Sequence, residues 1–155
     1  MTDRVYDSVG IAAVGVAAHE AGHAVQHAVG YLPIRLRSAI VPAVNLGSRL
    51  AMPLILVGLM LSAAANVIGY EIAMVGVIAY SLCVIFQLIT LPTEYNASSR
   101  AMEALENSNI LVGEELDGAR KTLNAAALTY VAALAVSLTQ FLRLVAIVMG
   151  GRRRR

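Results

Sequence analysis

The chain has one cysteine, Cys83, no tryptophan, two phenylalanines and six tyrosines in 155 residues. A lone cysteine excludes a disulfide framework and a cysteine-based metal centre. In its apolar stretch Cys83 reads as a small packing residue. Charge is also scarce: Asp, Glu, Lys and Arg make up 14% of the chain, against about a quarter in an ordinary soluble domain. No aspartate stands between Asp7 and Asp117. The net charge is only +2, and the basic residues include a terminal run, Arg152 to Arg155. With no aromatics interleaved, that run argues for a membrane-flanking anchor or an appended end, not for a nucleic-acid surface. Met1 to Ser8 is short and polar and lacks the pattern of a cleavable signal peptide, so the hydrophobic segments themselves are expected to direct insertion.

What the chain has in abundance is apolar sequence: 58% of residues are hydrophobic and the mean hydropathy is +0.69. The expected fold is a single all-α, membrane-embedded helical bundle over residues 1–155. Leu50 to Tyr70 and Ile72 to Leu91 each run without a charge and are long enough for a hydrocarbon core of roughly 30 Å. With Glu71 between them they read as a tight transmembrane hairpin, residues 50–91. Pro53 falls in the first turn of the first span, and Pro92 ends the second and opens the next helix, residues 93–107. Leu32 to Arg49, with Pro33 and Pro42, reads as an irregular connection. Glu114-Glu115-Leu116-Asp117 suits a helix N-terminus, so a long last helix is expected over 114–149. Arg35, Arg37 and Arg49 precede the hairpin, and Arg100, Arg120 and Lys121 follow it, while its turn carries no Lys or Arg. The positive-inside rule then puts both flanking segments in the cytoplasm.

Chemistry concentrates in His19-Glu20-Ala21-Gly22-His23, an H-E-x-x-H motif inside an apolar helical segment expected over 8–30. Residues four apart share a helix face, so His19 and His23 can converge on one zinc ion. Glu20 projects beside them and can serve as general base toward a metal-polarised water. A hydrogen-bonded polar cluster in a helix core is the bland reading, and so apolar a segment makes it costly.

A hairpin returns the chain to the side it left, so a third ligand is expected just after Leu91. Glu94, in LPTEYNASSRA, would complete a His-His-Glu site from a second helix. Ser98, four residues on, shares its face and could hydrogen-bond a ligand. His27 extends the histidine series, but at 1.5 Å per residue it lies about 12 Å from His19 along a helix, too far to share one ion. It is expected as a hydrogen-bonding or substrate-side residue near the site, or as a polar residue at the helix end. Glu71 sits in the far turn and is discounted. Arg100 is expected either to pair with a carboxylate or to face water.

Three blocks, AAVGVAAHEAGHAVQHAVGYLPIRLRSAIVPAVNLGS, VIFQLITLPTEYNASSRAMEAL and KTLNAAALTYVAALAVSL, resemble those of the YugP-like neutral zinc metallopeptidase family of bacterial membranes. The resemblance covers Tyr6 to about Leu144. It implies a membrane-embedded, zinc-dependent peptidase, expected in the bacterial inner membrane with its site toward the cytoplasm as the positive-inside reading has it. His19 and His23 are then zinc ligands, Glu20 is the catalytic base and Glu94 the presumed third ligand. The TEYNAS block is also similar to the E-x-x-x-D helix of HtpX-like membrane peptidases, with Ser98 where those have Asp. Members of the family usually carry an anchor and a soluble segment before the H-E-x-x-H helix, and only seven residues precede Ser8 here. In such enzymes the upstream region commonly pairs with the extended substrate. Its place would be taken by a longer chain or a partner, or the chain is a short form.

The implied partners are a peptide or membrane-protein substrate and the lipid bilayer, with a partner chain or oligomer possible and nucleic acid excluded. Two other readings remain open on sequence. One is an intramembrane protease resembling the site-2 class, weakened by the missing aspartate. The other is a zinc-binding membrane scaffold without catalysis, for which the small residues Ala63 to Ala65, Ala125 to Ala127, Ala132 and Ala133 would suit close helix packing.

Overall fold

The computed structural model describes residues 3–64 and 66–152, and among them the fold is all-helical. Four helices follow one another: α1 (Asp3–Ala28), α2 (Leu32–Ala63), α3 (Ile68–Ser108) and α4 (Glu114–Arg152). The last three are each long and apolar enough to cross a membrane. Arg153 to Arg155, the rest of the expected basic anchor, lie outside the described residues.

The short connections follow from their residues. α1 ends in a left-handed glycine: Gly30 has φ 65, its N–H donates to the His27 carbonyl at 3.2 Å, and the Tyr31 N–H donates to the Gln26 carbonyl at 2.9 Å. This pair of bonds closes a helix end, and only glycine adopts that backbone at no steric cost. The Asn66 side chain accepts the Ile68 N–H at 3.0 Å, capping the start of α3. Asn109, with φ 52, stands just beyond the end of α3.

Two expectations are corrected. Residues 32–49 are not an irregular connection, because α2 is continuous from Leu32 to Ala63 with Pro42 and Pro53 inside it. Likewise α3 does not stop at Pro92 and restart, but runs through it to Ser108. Proline removes one backbone donor, which in water often ends a helix. In apolar surroundings the remaining backbone groups have no water to turn to, so continuing the helix is the better solution. α2 accordingly ends at Ala63 and α3 begins at Ile68, and Glu71 lies in the first turn of α3.

The fold divides into two compact units, Met1–Leu36 with Ile89–Ala132, and Arg37–Leu88 with Ala133–Arg155. In the second, Ile55, Ala73, Val77, Leu144 and Val148 form a buried core. α2 and α3 approach closely there: a Cβ added at Gly76 would lie 2.8 Å from the Ala51 carbonyl oxygen. Small residues permit that approach where lipid offers no hydrophobic drive between helices. Leu56, Val57, Met60, Val75, Ile78 and Ile85 point outward, an apolar face suited to acyl chains.

In the first unit Leu105, Leu111 and Ala119 are buried together, with Ile11, Val14, Ala18 and Leu116 packed against them. This cluster ties α1 to the end of α3 and the start of α4. It fixes the part of α1 just before the H-E-x-x-H motif.

Candidate metal centre

The motif lies well inside α1, and Glu94 lies in the later part of α3. The two helices touch at Gly22, where an added Cβ would stand 2.5 Å from the Ala97 carbonyl oxygen and 3.2 Å from the Ala97 Cα. Ala97 is completely buried. Glycine against alanine therefore lets the backbones meet, and short side chains on either helix can reach across.

What meets there is His19, His23 and Glu94, each offering one ligand atom, with all three atoms within 4.8 Å of one another. His19 Nε2 is 3.0 Å from Glu94 Oε2, and His23 Nε2 is 3.4 Å from the same oxygen. The imidazole rings are nearly perpendicular, with centroids 4.7 Å apart. Tetrahedral zinc with bonds of roughly 2.0–2.1 Å separates its ligand atoms by about 3.3 Å, so the donor set has the spacing and chemistry of a zinc site. Glu94 is 2% exposed, while the side chains of His19 and His23 are 14% and 17% exposed. The site is thus buried on the carboxylate side and open on the imidazole side, as an ion that must meet substrate requires.

The other nitrogen of each imidazole is also engaged. His19 Nδ1 lies 3.1 Å from Ser98 Oγ, and His23 Nδ1 lies 2.9 Å from Gln26 Oε1. Such bonds fix ring orientation and leave Nε2 for a metal. Ser98 therefore stands where the sequence expects it. His27 is exposed in the last turn of α1 and lies outside the group of His19, His23 and Glu94. One helical turn past His23 is enough to carry it away from the crossing point. Glu20 is exposed, one residue on from His19, and has no ion pair or hydrogen bond among the described residues.

Sequence reasoning does not single out Gln26, Thr93 and Asn96. Gln26 is completely buried. Its Nε2 donates to the Thr93 carbonyl at 2.8 Å and to Asn96 Oδ1 at 3.0 Å. Asn96 Oδ1 also accepts from Arg100 Nε at 2.9 Å. Among the described residues Arg100 pairs with no carboxylate, and it does not simply face water; it ends a polar chain that begins at His23. The signal available in the sequence is the spacing: a glutamine three residues after a histidine shares its helix face.

Beside the site, Tyr95, Ser98, Ser99, Met102, Arg120, Leu123, Asn124 and Ala127 line a cleft of about 310 Å³ between α3 and α4. It shares Ser98 with the metal centre. Its floor is partly apolar, and Arg120 on its rim pairs with Glu106 at 2.7 Å.

No solved structure matches this chain. It is 46% identical over 152 residues to the "Putative membrane protease YugP" of Bacillus subtilis (strain 168), which covers 98% of this chain and 65% of that protein. The chain therefore spans just under two thirds of the relative's length. A family model described as "Putative neutral zinc metallopeptidase" matches residues 1–149, and with nearly the whole chain matched, this protein belongs to that family.

Proposed function

We propose that this chain carries the zinc-dependent peptidase centre of a membrane protease, with His19, His23 and Glu94 as zinc ligands and Glu20 as general base. The observation that carries the reading is the meeting of three ligand atoms within 4.8 Å, although Glu94 lies some seventy residues beyond the two histidines. A buried carboxylate facing two imidazoles is costly to assemble without a cation. The family and the relative's name point the same way.

When bound, zinc supplies a Lewis acid that polarises a carbonyl and makes water acidic near neutral pH. The chain's own residues do the rest. Glu20 accepts the proton of the attacking water on a carboxylate oxygen and delivers it to the leaving amine. Ser98 and Gln26 hold the two imidazoles so that both Nε2 atoms face inward. The cleft that shares Ser98 receives a side chain of the substrate, which is an extended peptide or a loop of a membrane protein. The site faces the cytoplasm, in keeping with the Arg and Lys residues on both sides of the hairpin.

The chain purified in detergent is expected to cleave an unstructured protein such as casein, to lose that activity to a chelator and to regain it with added zinc. Cleavage unaffected by thorough metal removal would exclude the reading.

A further inference from the structure

We propose that Gln26 is a positioning residue that selects the proton position on His23. The inference rests on the metal reading given above and adds a residue to it. Gln26 carries its amide in one orientation only. Its Nε2 faces two acceptors, the Thr93 carbonyl at 2.8 Å and Asn96 Oδ1 at 3.0 Å. A carbonyl oxygen in that place would face two oxygens and bond neither. The Oε1 end is therefore left for His23 Nδ1, 2.9 Å away. An amide oxygen can only accept, so Nδ1 must carry the hydrogen. In the neutral ring the lone pair is then on Nε2, the atom that faces Glu94.

The lock is built on both helices. Gln26 is completely buried, and its own carbonyl accepts the Tyr31 N–H that closes α1. Asn96 is held in turn by Arg100 at 2.9 Å. His19 has a different arrangement, because Ser98 Oγ can both donate and accept and so does not choose a tautomer by itself. The two imidazoles of the centre are thus unequal. Gln26 sets the Nδ1 proton of His23, while Ser98 leaves that of His19 unset.

The test uses the full chain in detergent, with two variants of Gln26 and two readouts. Nitrogen NMR of the metal-free protein locates the His23 proton. Competition against a chromophoric chelator measures zinc affinity. Gln26→Met keeps the side chain's length but offers His23 no oxygen. It is expected to lose the preference for Nδ1–H and to bind zinc roughly 10- to 100-fold more weakly, the usual effect of losing a ligand's hydrogen-bond partner. Gln26→Glu restores an acceptor for Nδ1–H but no donor for Thr93 or Asn96. It is expected to regain Nδ1–H and to bind zinc more tightly than Gln26→Met, although both variants lose the bonds to α3 and its second carboxylate oxygen faces the Thr93 and Asn96 oxygens.

A Gln26 that merely ties α1 to α3 would make the two variants equally weak, and that result would overturn the proposal. So would a folded Gln26→Met protein that keeps Nδ1–H and wild-type affinity. A wild type that carries the proton on Nδ1 but takes up no zinc would overturn the metal reading while leaving tautomer control by Gln26 standing.

Discussion

Replacing Glu20 by Gln is expected to abolish peptide hydrolysis while leaving zinc in place. Glu20 is exposed, and it is not one of the three side chains whose ligand atoms converge. Losing its charge therefore removes no metal bond and breaks no contact that holds α1 to α3. What goes is the proton acceptor. General-base catalysis by a positioned side chain is worth about 10²–10⁴-fold, and a glutamine amide cannot take up the proton. The checks are zinc content by atomic emission and turnover of the same peptide substrate under saturating zinc. A variant with full zinc and wild-type turnover would remove Glu20 from the mechanism. A variant that also loses zinc would show that Glu20 belongs to the metal site itself.

Gly22→Val is expected to weaken the metal centre without touching any ligand. The first atom of any side chain at this position would stand 2.5 Å from the Ala97 carbonyl oxygen. That neighbour is backbone inside α3, so no rotamer change relieves the clash, and the helices must move apart. The centre depends on contacts of 3.0 and 3.4 Å across the same crossing, which a shift of about one ångström would break. Overpacking of this kind costs about 1–3 kcal/mol, equivalent to a zinc affinity lower by about 5- to 150-fold. Gly10, whose added Cβ would meet nothing within 4 Å, supplies the control: Gly10→Ala is expected to bind zinc as the wild type does. Wild-type affinity in Gly22→Val would mean that the helices do not need this approach.

These two residues show what the sequence makes legible. H-E-x-x-H is local, and the period of a helix alone puts His19 and His23 on one face. Glu94 is remote, but the charge-free runs between it and the motif imply a hairpin, and a hairpin returns the chain to its starting side. Ser98 follows from Glu94 by one turn. Gly22 is different: within the motif it looks like a spacer, and its role emerges only when Ala97 is placed against it. Gln26 and Asn96 are hidden for the same reason, since each is an ordinary polar residue until the other helix supplies its partner. The continuity of α2 and α3 through Pro42, Pro53 and Pro92 runs against the local rule for proline. That rule describes a helix in water, and the apolar composition of these segments changes the alternatives open to the backbone.

The central claim is that α1 and α3 together hold one zinc ion. The measurement that tests it most directly is the zinc content of the detergent-purified wild type beside Glu94→Ala, after dialysis against a weak chelator. One zinc per chain in the wild type, lost in Glu94→Ala, is the result expected. A wild type without zinc, or a Glu94→Ala protein that retains all of it, would contradict the claim.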